Sequence, residues 1–209
     1  ETDKDIFKTY STSDFTSGKA KNKKALQELM GLPQKADTPL IGMVTRLVSH
    51  KGLDLVKAVL EELIITTDVQ VVVLGSGEWQ YEEFFKDIAR RHPDQVAINL
   101  GFNPPLSKKV YAGTDMFLMP SKSEPCGLSQ MVALRYGTIP IVRETGGLRD
   151  SITDCGDGKG NGFTFKSYNA HDMLDAIRRA LTLYYNGDWG TLVLRALNCE
   201  FSWGRSANA

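Results

Sequence analysis

The run Glu124-Pro125-Cys126-Gly127-Leu128 sets a carboxylate at the predicted start of a helix, after a strand-like apolar stretch at 115–119 and before a helix-like stretch at 128–136. A helix beginning near Gly127 leaves its first backbone N–H groups unpaired and carries about half a unit of positive charge there, which favours an anion such as phosphate. A phosphate would repel Glu124, so this carboxylate is better suited to accepting hydrogen bonds from a ligand's hydroxyls. The chemistry expected is recognition of a phosphate beside a sugar. Arg46 and Lys51 point the same way: five residues apart across a strand, turn and helix start, they could converge on a diphosphate, Arg as a planar fork and Lys as a mobile point charge. The alternative is surface salt bridging, which contributes little. Agreement with the Glu124 loop on one edge favours the phosphate clamp.

Other signals are more ambiguous. Gly75-Ser76-Gly77 follows an apolar run and invites a dinucleotide reading, but position 80, where a third glycine belongs, is Gln80. A tight turn leading to a helix near Glu78 is favoured. Thr145-Gly146-Gly147-Leu148 is a second flexible loop, fit either for a simple turn or for close backbone approach to a ligand. Phe102 either supplies a flat wall for a base or belongs to the core. Cys126 is a candidate reactive thiol at a helix start, where thiol acidity rises, although its backbone N–H is the more useful group. No nucleophile and base stand at a spacing that suggests a hydrolase triad.

These residues need elements to position them. Apolar or β-branched runs at 40–45, 69–74, 96–100, 116–119 and 139–142 alternate with helical patterns. Leu53, Val56, Leu60 and Leu63 share one helix face while Asp54, Lys57, Glu61 and Glu62 face water, and 80–91, 106–112, 128–136 and 170–184 are further helices. Nearly all-apolar strands alternating with helices predict an α/β fold, a Rossmann-like doubly wound parallel sheet covered on both faces. Right-handed crossovers then collect the strand-to-helix loops at the carboxyl edge, where ligands bind in such sheets.

With 209 residues and 42% hydrophobic content the chain is expected to form one domain, 1–209, with 1–19 as a polar lead-in. Its 25 basic and 25 acidic side chains cancel, which argues against nucleic acid or an acidic membrane as partner. Cys126, Cys155 and Cys199 form neither a disulfide framework nor a metal cluster with His50, His92 and His171, which fits a reducing compartment and no metal. No run is long enough to span a membrane, and residues 1–10 lack a signal-type apolar core. The start at Glu1 and the stop just after 201–209, where a new helical stretch could begin, suggest part of a larger protein.

Taken together, Arg46-Leu47-Val48-Ser49-His50-Lys51-Gly52-Leu53-Asp54-Leu55, Pro120-Ser121, Glu124 through Gln130, Tyr136-Gly137-Thr138-Ile139-Pro140 and Thr145-Gly146-Gly147-Leu148 resemble the bacterial glycogen synthase and plant starch synthase family in order and spacing. The likeness runs from about residue 1 to Trp203 and covers that family's second domain only. It implies the GT-B architecture, two Rossmann-like domains facing across a cleft. It also implies transfer of glucose from ADP-glucose to the non-reducing end of an α-1,4-glucan with retention of configuration, in a bacterial cytosol or plastid stroma.

By the same resemblance Arg46 and Lys51 hold the distal phosphate, and Glu124 with the backbone of Cys126 and Gly127 holds the glucose. Ser129 lies by the phosphates, and Leu128, Thr145, Gly146 and Gly147 complete the donor site. The position of Phe102 is commonly a tyrosine stacked on adenine, and threonine is frequent where Ser129 stands. Relatives with two glutamates eight positions apart use the second for ribose, but here that position is Val132. The family's first domain, with its Lys-Thr-Gly-Gly-Leu-type loop, has no counterpart in this chain, so the glucan acceptor needs residues from elsewhere. The chain alone is accordingly expected to bind ADP or ADP-glucose weakly, without cofactor, and to turn over little. A non-catalytic nucleotide-sugar-binding module is the alternative, and a nicotinamide-dependent oxidoreductase, resting on Gly75-Ser76-Gly77, is a poor third.

Overall fold

In a computed structural model, which describes residues 2–201, six parallel strands form one sheet in the order β3-β2-β1-β4-β5-β6. The strands are β1 (Leu40–Val44), β2 (Gln70–Gly75), β3 (Val96–Leu100), β4 (Met116–Met119), β5 (Ile139–Arg143) and β6 (Phe163–Phe165). Residues 202–209, Trp203 among them, lie outside the described residues. Chain order reverses between β1 and β4, the switch point at which the two following loops diverge and leave a crevice.

Period-two alternation assigns side chains to the two faces. Val71 and Val73 of β2 join the large core with Ile41 and Met43 of β1, whereas Val72 and Leu74 join a second core with Leu40. The first face carries α2 (Leu53–Thr66), α3 (Trp79–Arg91) and α7 (Ala170–Tyr185), which contribute Val56, Phe85 and Ile177. The second face carries α1 (Phe15–Leu29) and α4 (Pro104–Gly113) through Leu26 and Val110, next to a cluster of Tyr111, Phe117 and Ala133 that brings in α5 (Ser129–Arg135). Each such fully buried aliphatic or aromatic side chain contributes about 1.5–3 kcal/mol. Gly42 lets α4 close on β1, since a Cβ there would come within 2.9 Å of both Thr114 and Val110.

The five strands and five helices expected from periodicity are all present; the strands at 96–100 and 116–119 match end for end, and the others have ends shifted by a residue or two. The fourth helix begins at Pro104 rather than 106, because the Asn103 side chain caps it by accepting from the Leu106 N–H at 3.1 Å. The helix after Glu124 starts at Ser129 and is seven residues long. Four elements escaped the pattern: α1, β6, α6 (Gly146–Ser151) and α8 (Trp189–Leu197).

The polar stretch read as a lead-in through residue 19 includes the first turn of α1, and the inner side of that helix is built largely from polar groups. Lys23 pairs with Asp115 at 2.7 Å, Gln27 donates to Gln70 at 2.8 Å, and the Asn22 amide donates to the Lys8 and Gly18 carbonyls. Lys19 donates to the Ala112 and Tyr136 carbonyls and to the Thr138 hydroxyl. Such a satisfied polar seam leaves no hydrophobic stripe to read. β6 has three residues, too few for alternation to register.

Candidate active site

Five of the expected residues meet at the switch point. Arg46, Lys51, Glu124, Leu128 and Ser129 line a cleft of about 210 Å³ above the carboxyl ends of β1 and β4, with Ser121 among them. A second cavity of about 420 Å³ adjoins it, sharing Val44, Thr45 and Arg46 and running outward past Gly75 and Ser76 to Phe102. Arg46 therefore stands where the two meet. Phe102 is 93% exposed, so it is no core residue: its ring is a free flat surface at the far end of the second cavity.

Lys51 and Glu124 form an ion pair with Nζ to Oε2 at 2.8 Å, and their side chains retain only 20% and 13% of their exposure. The same Oε2 accepts from the Ser121 hydroxyl at 3.0 Å. The Lys51 ion pair thus lies inside the cleft and ends on Glu124, unlike the surface bridge considered from sequence. Arg46 is exposed, and its guanidinium has no partner among the described residues. One cation is thus neutralised and half-buried while the other stands open, a combination suited to an anion that enters from the Arg46 side.

Backbone packing sets these positions. Gly52 opens α2 with φ +80°, and a Cβ there would sit 2.1 Å from the Pro120 carbonyl oxygen, so only glycine lets the Lys51 turn press against the loop after β4. The Lys122 N–H donates to the His50 carbonyl at 2.9 Å and closes the same seam. From behind, the Gly147 N–H donates to the Glu124 carbonyl at 3.0 Å, and a Cβ on Gly147 would lie 1.7 Å from the Cys126 carbonyl oxygen. The buried amide of Gln130 donates to the Gly127 carbonyl at 2.9 Å and to the Ser151 hydroxyl at 3.0 Å, and Ser151 in turn donates to the Gly147 carbonyl.

Cys126, Gly127, Thr145, Gly146 and Gly147 flank the cleft rather than line it. The close backbone approach that the two glycines permit is to the Glu124 and Cys126 carbonyls, and Thr145 is the extended residue just before α6, with no capping bond from its side chain. The Cys126 thiol is exposed and free. Gly75-Ser76-Gly77 forms a tight turn with the helix starting at Trp79; Cβ atoms on its glycines would meet the Thr45 and Leu47 carbonyls at 1.8 and 2.4 Å. Its glycines are needed to pack the β2 loop on the β1 loop.

Residues that sequence reasoning gave no role include Ser121, the second donor to Glu124, and Arg143, which donates to the Lys122 carbonyl at 2.8 Å. The Pro120-Ser121 pair, one of the segments that carry the family resemblance, signals the first. Arg143 had none beyond its place at a strand end. Among the described residues, no three His, Cys, Asp or Glu side chains cluster as metal ligands, and no helix is long and apolar enough to cross a membrane.

A parallel sheet with a charged cleft at its switch point is the arrangement of a Rossmann-like ligand-binding α/β domain. The chain belongs to the glycosyl transferases group 1 family, whose model matches residues 29–186. It is 52% identical over its whole length to the glycogen synthase of Bacillus cereus (strain ATCC 10987 / NRS 248), of which it covers 44%, and 54% identical over 90% of its length to that of Geobacillus stearothermophilus, of which it covers 39%. The catalytic domain of starch synthase IV from Arabidopsis thaliana, solved bound to ADP and acarbose, is 36% identical and superposes with a TM-score of 0.91 over 99% of this chain and 44% of that one. The sucrose-phosphate synthase of Thermosynechococcus elongatus, 20% identical with a TM-score of 0.67 over 98% of this chain and 48% of that one, shares the fold. The Rossmann-like GT-B half expected from sequence is the fold observed. The chain spans less than half the length of the curated relatives it matches.

Proposed function

We propose that this chain is the donor-binding half of a retaining glucosyltransferase that moves glucose from ADP-glucose to the non-reducing end of an α-1,4-glucan. The observation that carries the reading is the arrangement at the switch point: an open guanidinium at Arg46, a Lys51–Glu124 pair deeper in the cleft, and an exposed Phe102 beyond Arg46. The order base, diphosphate, sugar fits that sequence of groups from the outside inward. The similarity to glycogen synthases and to a starch synthase bound to ADP supports the choice of donor.

On this reading the adenine lies against the Phe102 ring and the diphosphate spans to Arg46. The distal phosphate draws the Lys51 ammonium toward itself, which releases one lone pair of Glu124 Oε2 for a glucose hydroxyl, while Ser121 keeps the carboxylate oriented. Ser129 borders the phosphates, and Leu128 with the backbone of Cys126 and Gly127 borders the sugar. Breaking the bond between glucose C1 and the diphosphate leaves the electron pair on the phosphate oxygen and positive character on the ring. Arg46 and Lys51 answer the first, Glu124 the second. Donors held in place before reaction stabilise developing charge better than water does, and losing one costs about a hundredfold to a thousandfold. Acceptor glucan requires a facing surface, which we assign to a first domain outside residues 1–209.

Calorimetric titration with ADP, UDP, ADP-glucose and NAD tests the reading. ADP and ADP-glucose should bind, and NAD should not. Binding of NAD in preference to ADP, or no loss of ADP affinity in Arg46→Ala, would overturn it.

A further inference from the structure

Beside the cleft, but outside its lining, one cluster ties the two site loops together. Arg143 at the end of β5 donates through one terminal nitrogen to the carbonyls of Ser121 at 3.5 Å and Lys122 at 2.8 Å. Its guanidinium lies 5.5 Å from the centre of the Tyr168 ring, and the Lys122 ammonium lies 5.5 Å from the same centre. The Tyr168 hydroxyl donates to Asp54, in the first turn of α2 and three residues beyond Lys51. Burial first, and then the Asp54 carboxylate, push the Tyr168 phenol above its ordinary range. The connection between β6 and α7 therefore reaches the helix that follows Lys51 with its hydroxyl and Glu124's loop with its ring.

We propose that Arg143 and Tyr168 are positioning residues that hold the Ser121–Glu124 loop in register with Lys51, so that the Glu124 carboxylate meets both the Ser121 hydroxyl and the Lys51 ammonium. The inference rests on the donor-site reading above. The physical chain is short: Arg143 restrains the Ser121 backbone, the Ser121 hydroxyl restrains the Glu124 carboxylate, and Glu124 meets Lys51. Cation–ring and charge-assisted bonds suit this task because they resist sliding of one loop past the other. Neither Arg143 nor Tyr168 lines the cleft, so neither is expected to touch the donor directly.

The test uses the full-length protein that carries this chain, assayed for glucose transfer from ADP-glucose. Arg143→Ala should lower kcat by about tenfold to a hundredfold, in line with the cost of roughly 1 Å of misplacement, with KM for the donor changed less. Arg143→Lys, which keeps a donor over the same carbonyls, should recover part of the loss. Tyr168→Phe, which keeps the ring and loses only the Asp54 bond, should slow transfer less than Arg143→Ala. Arg143→Ala combined with Ser121→Ala should cost clearly less than the product of the two single losses, since both act through Glu124. Multiplicative losses, or no recovery in Arg143→Lys, would reduce Arg143 to a fold-stabilising residue and overturn the proposal. A normal rate in Arg143→Ala would also overturn it while leaving the donor site standing, whereas a wild-type protein without transfer from ADP-glucose would overturn both.

Discussion

Gly147→Ala separates close approach from backbone conformation. Gly147 does not occupy the left-handed region, so alanine is tolerated by its own dihedral angles, unlike Gly146 at φ +46°. The added Cβ, however, would stand 1.7 Å from the Cys126 carbonyl oxygen and 2.5 Å from its carbon, where real Cβ atoms essentially never come within 3.0 Å. Relief needs the difference, about 1.3 Å, to be taken up by backbone on one side or the other, because no flexible side-chain end is involved. The yielding partner is the Glu124–Cys126 loop or the start of α6, and either movement strains the 3.0 Å bond from the Gly147 N–H to the Glu124 carbonyl. The carboxylate carried by that loop sits 2.8 Å from Lys51 and 3.0 Å from Ser121, so a displacement of that size breaks one or both contacts.

The stability cost of such overpacking is about 1–3 kcal/mol, whereas misplacing a reacting group by about 1 Å costs on the order of a hundredfold in rate. The expected variant is folded, with a melting temperature lowered by several degrees and glucose transfer reduced about a hundredfold. Transfer from labelled ADP-glucose by the full-length protein, read beside thermal unfolding, checks both halves. A folded Gly147→Ala protein transferring within threefold of wild type would refute the claim that this contact sets the position of Glu124.

Lys51→Ala and Arg46→Ala should each slow transfer at least tenfold, and a normal rate in either removes that residue from the phosphate clamp. Phe102→Ala should weaken ADP binding by about 1–3 kcal/mol of lost stacking with the melting temperature unchanged, as suits a ring 93% exposed; Phe102→Tyr should retain affinity. Asp154→Asn addresses acid stability away from the cleft. Burial alone would raise this carboxyl, but the Arg179 fork and the Thr164 and Gly156 N–H groups outweigh it and hold the group below the ordinary carboxylate range. Its stabilising effect is therefore full above the unfolded value near 3.8 and is lost as pH falls through the lower folded value. Unfolding measured from pH 6 to pH 2 should show a shallower loss in the asparagine variant, and parallel curves would contradict the assignment.

What was legible in the chain followed from one-dimensional physics. Alternation and 3.6-residue periodicity are local consequences of backbone geometry, so the five long strands and the five amphipathic helices could be read with ends shifted by a residue or two. The chemistry at strand ends was legible because a parallel sheet sends its loops to one edge, which put Arg46, Lys51 and the Glu124 run on the same side. The motifs shared with glycogen and starch synthases then sharpened this expectation to a donor site.

Other decisions belonged to the tertiary structure alone. Helix α1 is held by Lys19, Asn22, Lys23 and Gln27 against polar groups as much as 161 residues away in sequence, Lys23 to Tyr184, and no local pattern encodes such pairing. Whether Phe102 was core or surface depended on what packs above its strand end, and among the described residues its ring stays exposed. Whether Gly146 and Gly147 face a ligand or a neighbouring loop depended on how closely α6 approaches Cys126. The pairing of Lys51 with Glu124, 73 positions apart, and the tie from Arg143 through Tyr168 to Asp54 arise only when crossovers bring separate loops into contact. Side-chain type and spacing specify which groups a chain can offer; which of them meet is set by the packing of elements distant in sequence, because a hydrogen bond reaches only about 3 Å.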